Sequence, residues 1–163
     1  NYPALNGRDF VYLDDRMLFA LSEDERIGTN SEGFRWMRNT FAFHDVMAVT
    51  LRNGLKYLGQ AISVPRPGLA IVCMEGIVAL PSFMKDWDII EISLEEAKAF
   101  AADGLSIDDR TYVIGISEEN DNSHVIEELE KRGMKVYKVP FAAHMSFGGS
   151  VRSAVLPLRR DVE

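Results

Sequence analysis

Ser153 closes the run His144-Met145-Ser146-Phe147-Gly148-Gly149-Ser150-Val151-Arg152-Ser153. Paired glycines let a backbone turn tightly and come close to a ligand, so this stretch can hold a hydroxyl at the mouth of a site. A serine hydroxyl becomes a nucleophile only when a positioned base removes its proton. His144 in the same run and the distant Asp9 are the candidate partners, which gives a Ser153-His144-Asp9 triad that nothing in the spacing supports geometrically. A lone loop histidine is more often a solvated surface group.

Other reactive types have structural readings. Cys73 lies inside the apolar run Leu69 to Met74, where a small buried hydrophobe is the default. His44 follows the first helical stretch and complements a helix C-terminus. The acids Glu118, Glu119 and Asp121 precede a helical stretch and suit its N-terminal dipole better than a metal ion. No Lys-Ser or Lys-Thr follows the Pro-Gly or Gly-Gly elements at the spacing of a phosphate loop.

The elements that must position these residues read as an α/β chain. Asp9 to Leu13 and Met17 to Leu21 form a hairpin, and Thr29-Asn30-Ser31-Glu32 reads as a capping box that opens a helix to about Ala42. A strand from Asp45 to Leu51 completes a β, β, α, β order. Ala61 to Val64 and Leu69 to Met74 pair across Pro65-Arg66-Pro67-Gly68. A short helix at Pro81 to Asp86 and a strand at Trp87 to Ile92 repeat that order. Ser93-Leu94-Glu95-Glu96 caps a helix through Phe100, with Gly104 expected to close it in a left-handed conformation. Thr111 to Ser117 is a strand, Asp121 or Asn122 caps a helix ended by Gly133, and Met134 to Pro140 and Ser150 to Leu158 are the last strands. About three βαβ-like modules of roughly fifty residues result.

With 163 residues and 47% apolar composition, the chain is long enough for one domain with a sizeable core. A formal net charge of -7 argues against a nucleic-acid footprint or an anionic membrane surface as partner. A single cysteine precludes an internal disulfide, and the cytosol is the expected compartment. The first residues carry neither an initiator Met nor a signal-peptide pattern. Two expectations follow: a start inside a longer protein, or removal of a leader or tag.

Five landmarks occur in order: Gly7-Arg8-Asp9-Phe10-Val11, Gly33-Phe34-Arg35-Trp36-Met37-Arg38, Arg66-Pro67-Gly68-Leu69-Ala70-Ile71-Val72, Trp87-Asp88-Ile89-Ile90 and Phe147-Gly148-Gly149-Ser150-Val151-Arg152-Ser153. Over essentially the whole chain the set resembles the C-terminal part of the glycine and inosamine-phosphate amidinotransferases. These belong to the pentein superfamily with arginine deiminases and dimethylarginine hydrolases. The resemblance implies a fivefold propeller of ββαβ modules around a central channel. About three of the five would lie in this chain as a single domain, 1–163, the C-terminal part of a longer propeller. The missing N-terminal modules, another chain or a second copy would then cover the open edges.

In that family a cysteine thiolate attacks the guanidinium carbon of arginine, a histidine moves protons and acidic residues hold the guanidinium. Carried over by position, the first acid falls on Asp9 and is retained. The HxDxxF pattern, counted back from Pro67-Gly68, falls on Tyr57, Gly59 and Ile62, and the nucleophile on Ser153. Arg66 and Arg152 would flank the channel and suit a carboxylate; Gly148, Gly149 and Tyr57 complete the implied binding set. A thiol has a pKa of about 8.5 that proteins can depress, whereas a tyrosine near 10 is a weak substitute for a histidine base.

The expectation is therefore an amidinotransferase-like domain without the Cys/His pair, which binds a small guanidino or amino compound or supports a protein partner. The alternative is an active guanidino-group transferase or hydrolase with altered residues, or an engineered cysteine-to-serine form of one. No cofactor or metal is implied.

Overall fold

The computed structural model describes residues 2–13, 16–24 and 26–155. Three three-stranded sheets follow one another along the chain. In the first, β1 (Phe10–Leu13) and β2 (Arg16–Leu21) pair antiparallel, and helix α1 (Ser31–Thr40) crosses over to β3 (Asp45–Thr50), which lies parallel to β2 with Leu18 beside Met47. The second sheet follows a one-turn helix α2 (Leu58–Ala61). It comprises β4 (Ile62–Arg66), β5 (Leu69–Val72) and β6 (Asp88–Glu91), with Ile71 beside Ile90 in the parallel pair. Helix α3 (Leu94–Lys98) leads to the third sheet. There β7 (Leu105–Asp108) and β8 (Thr111–Ile116) form the antiparallel pair, and α4 (Ser123–Lys131) returns to β9 (Lys135–Pro140) parallel to β8.

Each sheet thus repeats one antiparallel and one parallel pairing, the ββαβ order read from the sequence. The middle crossover has no α-helix: two 3-10 turns, Met74–Gly76 and Ser82–Met84, carry it. Strand β5 in this sheet is buried along its whole length. Leu18, Leu51, Leu58, Ile62, Ile71, Ile90, Tyr112, Ile114 and Leu129 join in one core that runs through all three sheets. Burial of each large aliphatic side chain contributes about 1.5–3 kcal/mol, so this shared core fixes how the connecting loops meet.

Several local expectations are corrected. The N-cap of α1 is Asn30 and not Thr29: Asn30 Oδ1 accepts from Gly33 N at 2.8 Å and also from Ala4 N at 3.0 Å. Thr29 is buried, and its hydroxyl oxygen accepts from Asn6 N. The Ser93 capping box forms as read, yet α3 stops at Lys98 and the left-handed residue is Phe100 (φ 65°), not Gly104. Asn122 precedes α4 in a left-handed conformation and donates to Gly115 O, while Asp121 Oδ1 accepts from Ser123 N. Strand β7 was not expected. In place of a strand from Ser150, the chain makes a 3-10 turn at Arg152–Ala154; residues 156–158 of that expected strand lie outside the described residues. The turn forms because Arg152 N is held by Asp103 O at 3.1 Å and Ala154 N by Val151 O at 3.1 Å, which bends the backbone away from extension.

Candidate functional site around Asp103 and the glycine turn

Two ends of the chain meet at this site. Asn6 caps the 3-10 turn Gly7–Asp9 by accepting from Arg8 N at 3.0 Å, and the turn aims Arg8 and Asp9 to different sides. Asp9 points inward and is 0% exposed. Its Oδ2 accepts from Thr29 N at 2.8 Å and its Oδ1 from Leu58 N at 3.2 Å, the first-turn amide of α2 that the Tyr57 side chain leaves uncapped. Burial raises the Asp9 pKa above its ordinary value, although both amides and the Arg8 charge pull it back. This carboxylate therefore joins three backbone segments and presents no oxygen to a ligand.

Arg8 lies on the other side. Its Nη1 donates to Gly148 O at 2.6 Å, and its guanidinium carbon sits 4.0 Å from the Tyr57 ring centroid. The stack and the shared carbonyl fit together, because the Tyr57 hydroxyl donates to the same Gly148 O. Gly148 adopts φ +91°, a conformation that side chains rarely take, and this turns its carbonyl toward both donors. Burial beside Asp103 raises the Tyr57 pKa despite the neighbouring Arg8 charge, so the phenol stays protonated and acts as a donor.

Asp103 supplies the second buried carboxylate, from the connection between α3 and β7, and is 1% exposed. Its Oδ2 accepts from Ser150 N at 2.6 Å and from Ser153 Oγ at 2.7 Å. Ser153 is thus bonded to a carboxylate and not to an imidazole. A lone carboxylate is a weak base toward an alcohol. Arg152 points back across the site: Nη1 donates to Ile62 O at 3.2 Å and Nη2 to Phe10 O at 3.4 Å. Gly59 is buried beneath these groups, and a Cβ there would stand 2.5 Å from Asp103 Oδ1 and 3.8 Å from Arg152 Cζ. Gly149 packs against Ser153: a Cβ added at Gly149 would stand 2.8 Å from Ser153 Cβ.

The structure therefore brings together Tyr57, Gly148, Gly149, Arg152 and Ser153, with Asp9 on the far side of Arg8. Two of the expected site residues lie in other surroundings. Arg66 Nη2 donates to Arg132 O at 3.1 Å, next to the cluster in which Arg132 binds Asp88 at 2.8 Å and Glu128 at 2.5 Å. His144, in the single turn α5 (Ala142–Met145), is exposed and packs on Phe141 at 5.1 Å between ring centroids. With Pro140, Phe141, Ala143 and Phe147 it lines an open depression of about 410 Å³.

Cys73 is fully buried and burial raises its pKa, in keeping with a packing role. Among the described residues no group of His, Cys, Asp and Glu is arranged to hold a metal ion, and no helix is long and apolar enough to cross a membrane. Arg8 and Asp103 are the site residues that sequence reading missed. The only sequence signal for Asp103 is one acid between Ala101-Ala102 and Gly104, a charge set among residues too small to be anything but packed.

No family model matches the chain. The uncharacterized protein YkgA of Bacillus subtilis (strain 168) is 23% identical over 159 residues, 96% of this chain and 53% of that protein. Among solved structures, SxtG, an amidinotransferase from Microseira wollei in the saxitoxin biosynthetic pathway, superposes with a TM-score of 0.81 at 20% identity, over 99% of this chain and 49% of its own. Inosamine-phosphate amidinotransferase StrB1 from Streptomyces griseus gives a TM-score of 0.79 at 18% identity, over 99% of this chain and 48% of its own. The chain spans about half the length of each of these proteins. Identities this low speak for the fold: the chain has the α/β architecture of the pentein amidinotransferases, with three of its ββαβ modules forming a partial propeller.

Proposed function

We propose that this domain binds a small guanidino or amino compound and does not carry out amidino transfer. The observation that carries the reading is the state of the three positions to which the resemblance gives reacting groups. Tyr57 stands in the histidine's place with its hydroxyl on Gly148 O, Gly59 has no side chain, and Ser153 donates to Asp103. Covalent catalysis needs a nucleophile with a matched base, and a serine held by one carboxylate beside a high-pKa phenol has none. Because the chain spans about half the length of the amidinotransferase structures it is similar to, we assign further modules, or a partner chain, to complete the binding channel. Small-molecule recognition fits the acidic composition, and the single cysteine fits the cytosol.

The test is ornithine formation from arginine by the full-length protein, with glycine, lysine or an aminocyclitol as acceptor, beside calorimetric titration of the same compounds. Binding without ornithine is the expected result. Steady turnover that disappears in Ser153→Ala would overturn the reading in favour of an enzyme with altered residues.

A further inference from the structure

The three sheets repeat one pairing pattern, and the same face of each can be compared. Leu18 beside Met47 in the first sheet, Ile71 beside Ile90 in the second and Val113 beside Tyr137 in the third hold one position of the repeat. The first two pairs belong to the shared core: Leu18 and Ile71 are fully buried, Ile90 is 2% exposed, and Met47 packs against them. Val113 and Tyr137 join no core cluster, nor do Leu105, which pairs with Val113, and Val139 on the same side of β9. Tyr137 is 47% exposed.

The first two faces are covered by the module that follows each of them. Phe83, from the second module's crossover, takes the Arg16 guanidinium over its ring at 4.8 Å, at the rim of the first sheet. On the second sheet Ser63 Oγ, from the residue paired with Ile71, meets Tyr112 Oη of the third at 2.9 Å. Arg132, at the end of α4, donates to both oxygens of Asp88 on that sheet's rim, at 2.8 and 3.0 Å. The three rims correspond in register: Arg16 beside Asp45, Leu69 beside Asp88, Thr111 beside Lys135. The third sheet thus carries a cation where the second carries the acid that receives Arg132. Lys135 Nζ lies 4.6 Å from the Tyr137 ring centroid, over the uncovered face. Asp108, opposite Thr111, accepts from Arg110 N at 2.8 Å.

We propose that the face formed by Leu105, Val113, Tyr137 and Val139 docks a further ββαβ module of the full-length chain, whose crossover ends in an acidic side chain paired with Lys135. The inference rests on the reading above that further modules complete the channel, and it names their docking surface and its chemistry. Apolar strand residues left in water are stabilised by cover, and an acid opposite Lys135 keeps the charge pairing that Arg132 and Asp88 make one module earlier. A second copy of this chain fits worse. Arg132 stands three residues before β9; the residue three before β3 is Ala42, and the last turn of α1 carries the cation Arg38.

Hydroxyl-radical footprinting of the full-length monomer, read by mass spectrometry, tests the surface. Loss of Tyr137 labelling to the level of Tyr112, which is 0% exposed, is expected. Labelling in keeping with the 47% exposure seen here overturns the proposal, and so does protection that appears only in a dimer, since the face then belongs to a second copy. Lys135→Ala and Lys135→Glu both lose the contact with the Tyr137 ring, so their difference reads the charge opposite. Lys135→Glu is expected to unfold at least about 2 °C below Lys135→Ala. A midpoint equal to or above that of Lys135→Ala leaves no acid opposite residue 135 and overturns the proposal. No outcome involves a ligand, so titration with arginine and small amines decides the ligand-binding reading separately.

Discussion

Asp9 and Asp103 are both withdrawn from solvent, at 0% and 1% exposure, yet their lone pairs are used differently. Asp9 divides two backbone amides between its two oxygens, one from residue 29 and one from residue 58, and so ties the entry of the chain to α2. Asp103 gathers an amide and a hydroxyl on one oxygen and turns the other toward Gly59. Burial alone does not distinguish the two acids; the segments that each one holds do. Asp9 ties backbone amides of residues 29 and 58, whereas Asp103 holds the glycine turn and Ser153, although the resemblance points to Asp9.

That distinction can be broken by stability measurements. Asp9→Ala strands two buried amide donors, and a loss of about 3 kcal/mol in denaturant unfolding is expected, at about 1–3 kcal/mol per unsatisfied group. A loss under about 1 kcal/mol would mean that the scaffold role is misassigned. Asp9 also has a pH signature of unusual sign. Because burial raises its folded pKa above 3.8, the native state holds the proton to higher pH than the unfolded chain. Its contribution to stability is then fullest below that value and declines as pH rises through the folded pKa. The difference in unfolding midpoint between wild type and Asp9→Asn should therefore drift against the wild type from about pH 4 upward; a flat difference would contradict the raised pKa. The smallest effect belongs to Ser153→Ala, which leaves Ser150 N on Asp103 and should cost about 1 kcal/mol, the net worth of one hydrogen bond.

The modular order was legible because each sheet writes the same pattern of apolar runs and turn residues, and because α1, α3 and α4 have distinct caps. Strand β7 was not, since Leu105–Asp108 is short, half exposed and paired with a register shift. The final strand expected from Ser150 failed for a tertiary reason: Asp103, about fifty residues earlier, holds Ser150 N, Arg152 N and Ser153 Oγ and bends the segment. Tyr57, the two glycines, Arg152 and Ser153, which the structure brings together, were named from the order of landmarks. Arg66 and His144 carry side-chain types that suit chemistry, but their contacts, with Arg132 O and Phe141, are fixed by strand ends and a surface turn that no local pattern reveals. Asp103 escaped notice because its contacts are with Ser150 and Ser153, distant in sequence, and only the packed sheets bring them to it.

In the proposed function Ser153 is a donor to Asp103 and not a nucleophile. Intact-mass analysis of the full-length protein after incubation with L-arginine tests this most directly, because transfer through a covalent intermediate would leave an amidino group on the chain while ornithine departs. The expected result is an unmodified mass with no ornithine. An amidino adduct on Ser153 that forms with equimolar ornithine and is absent in Ser153→Ala would contradict it.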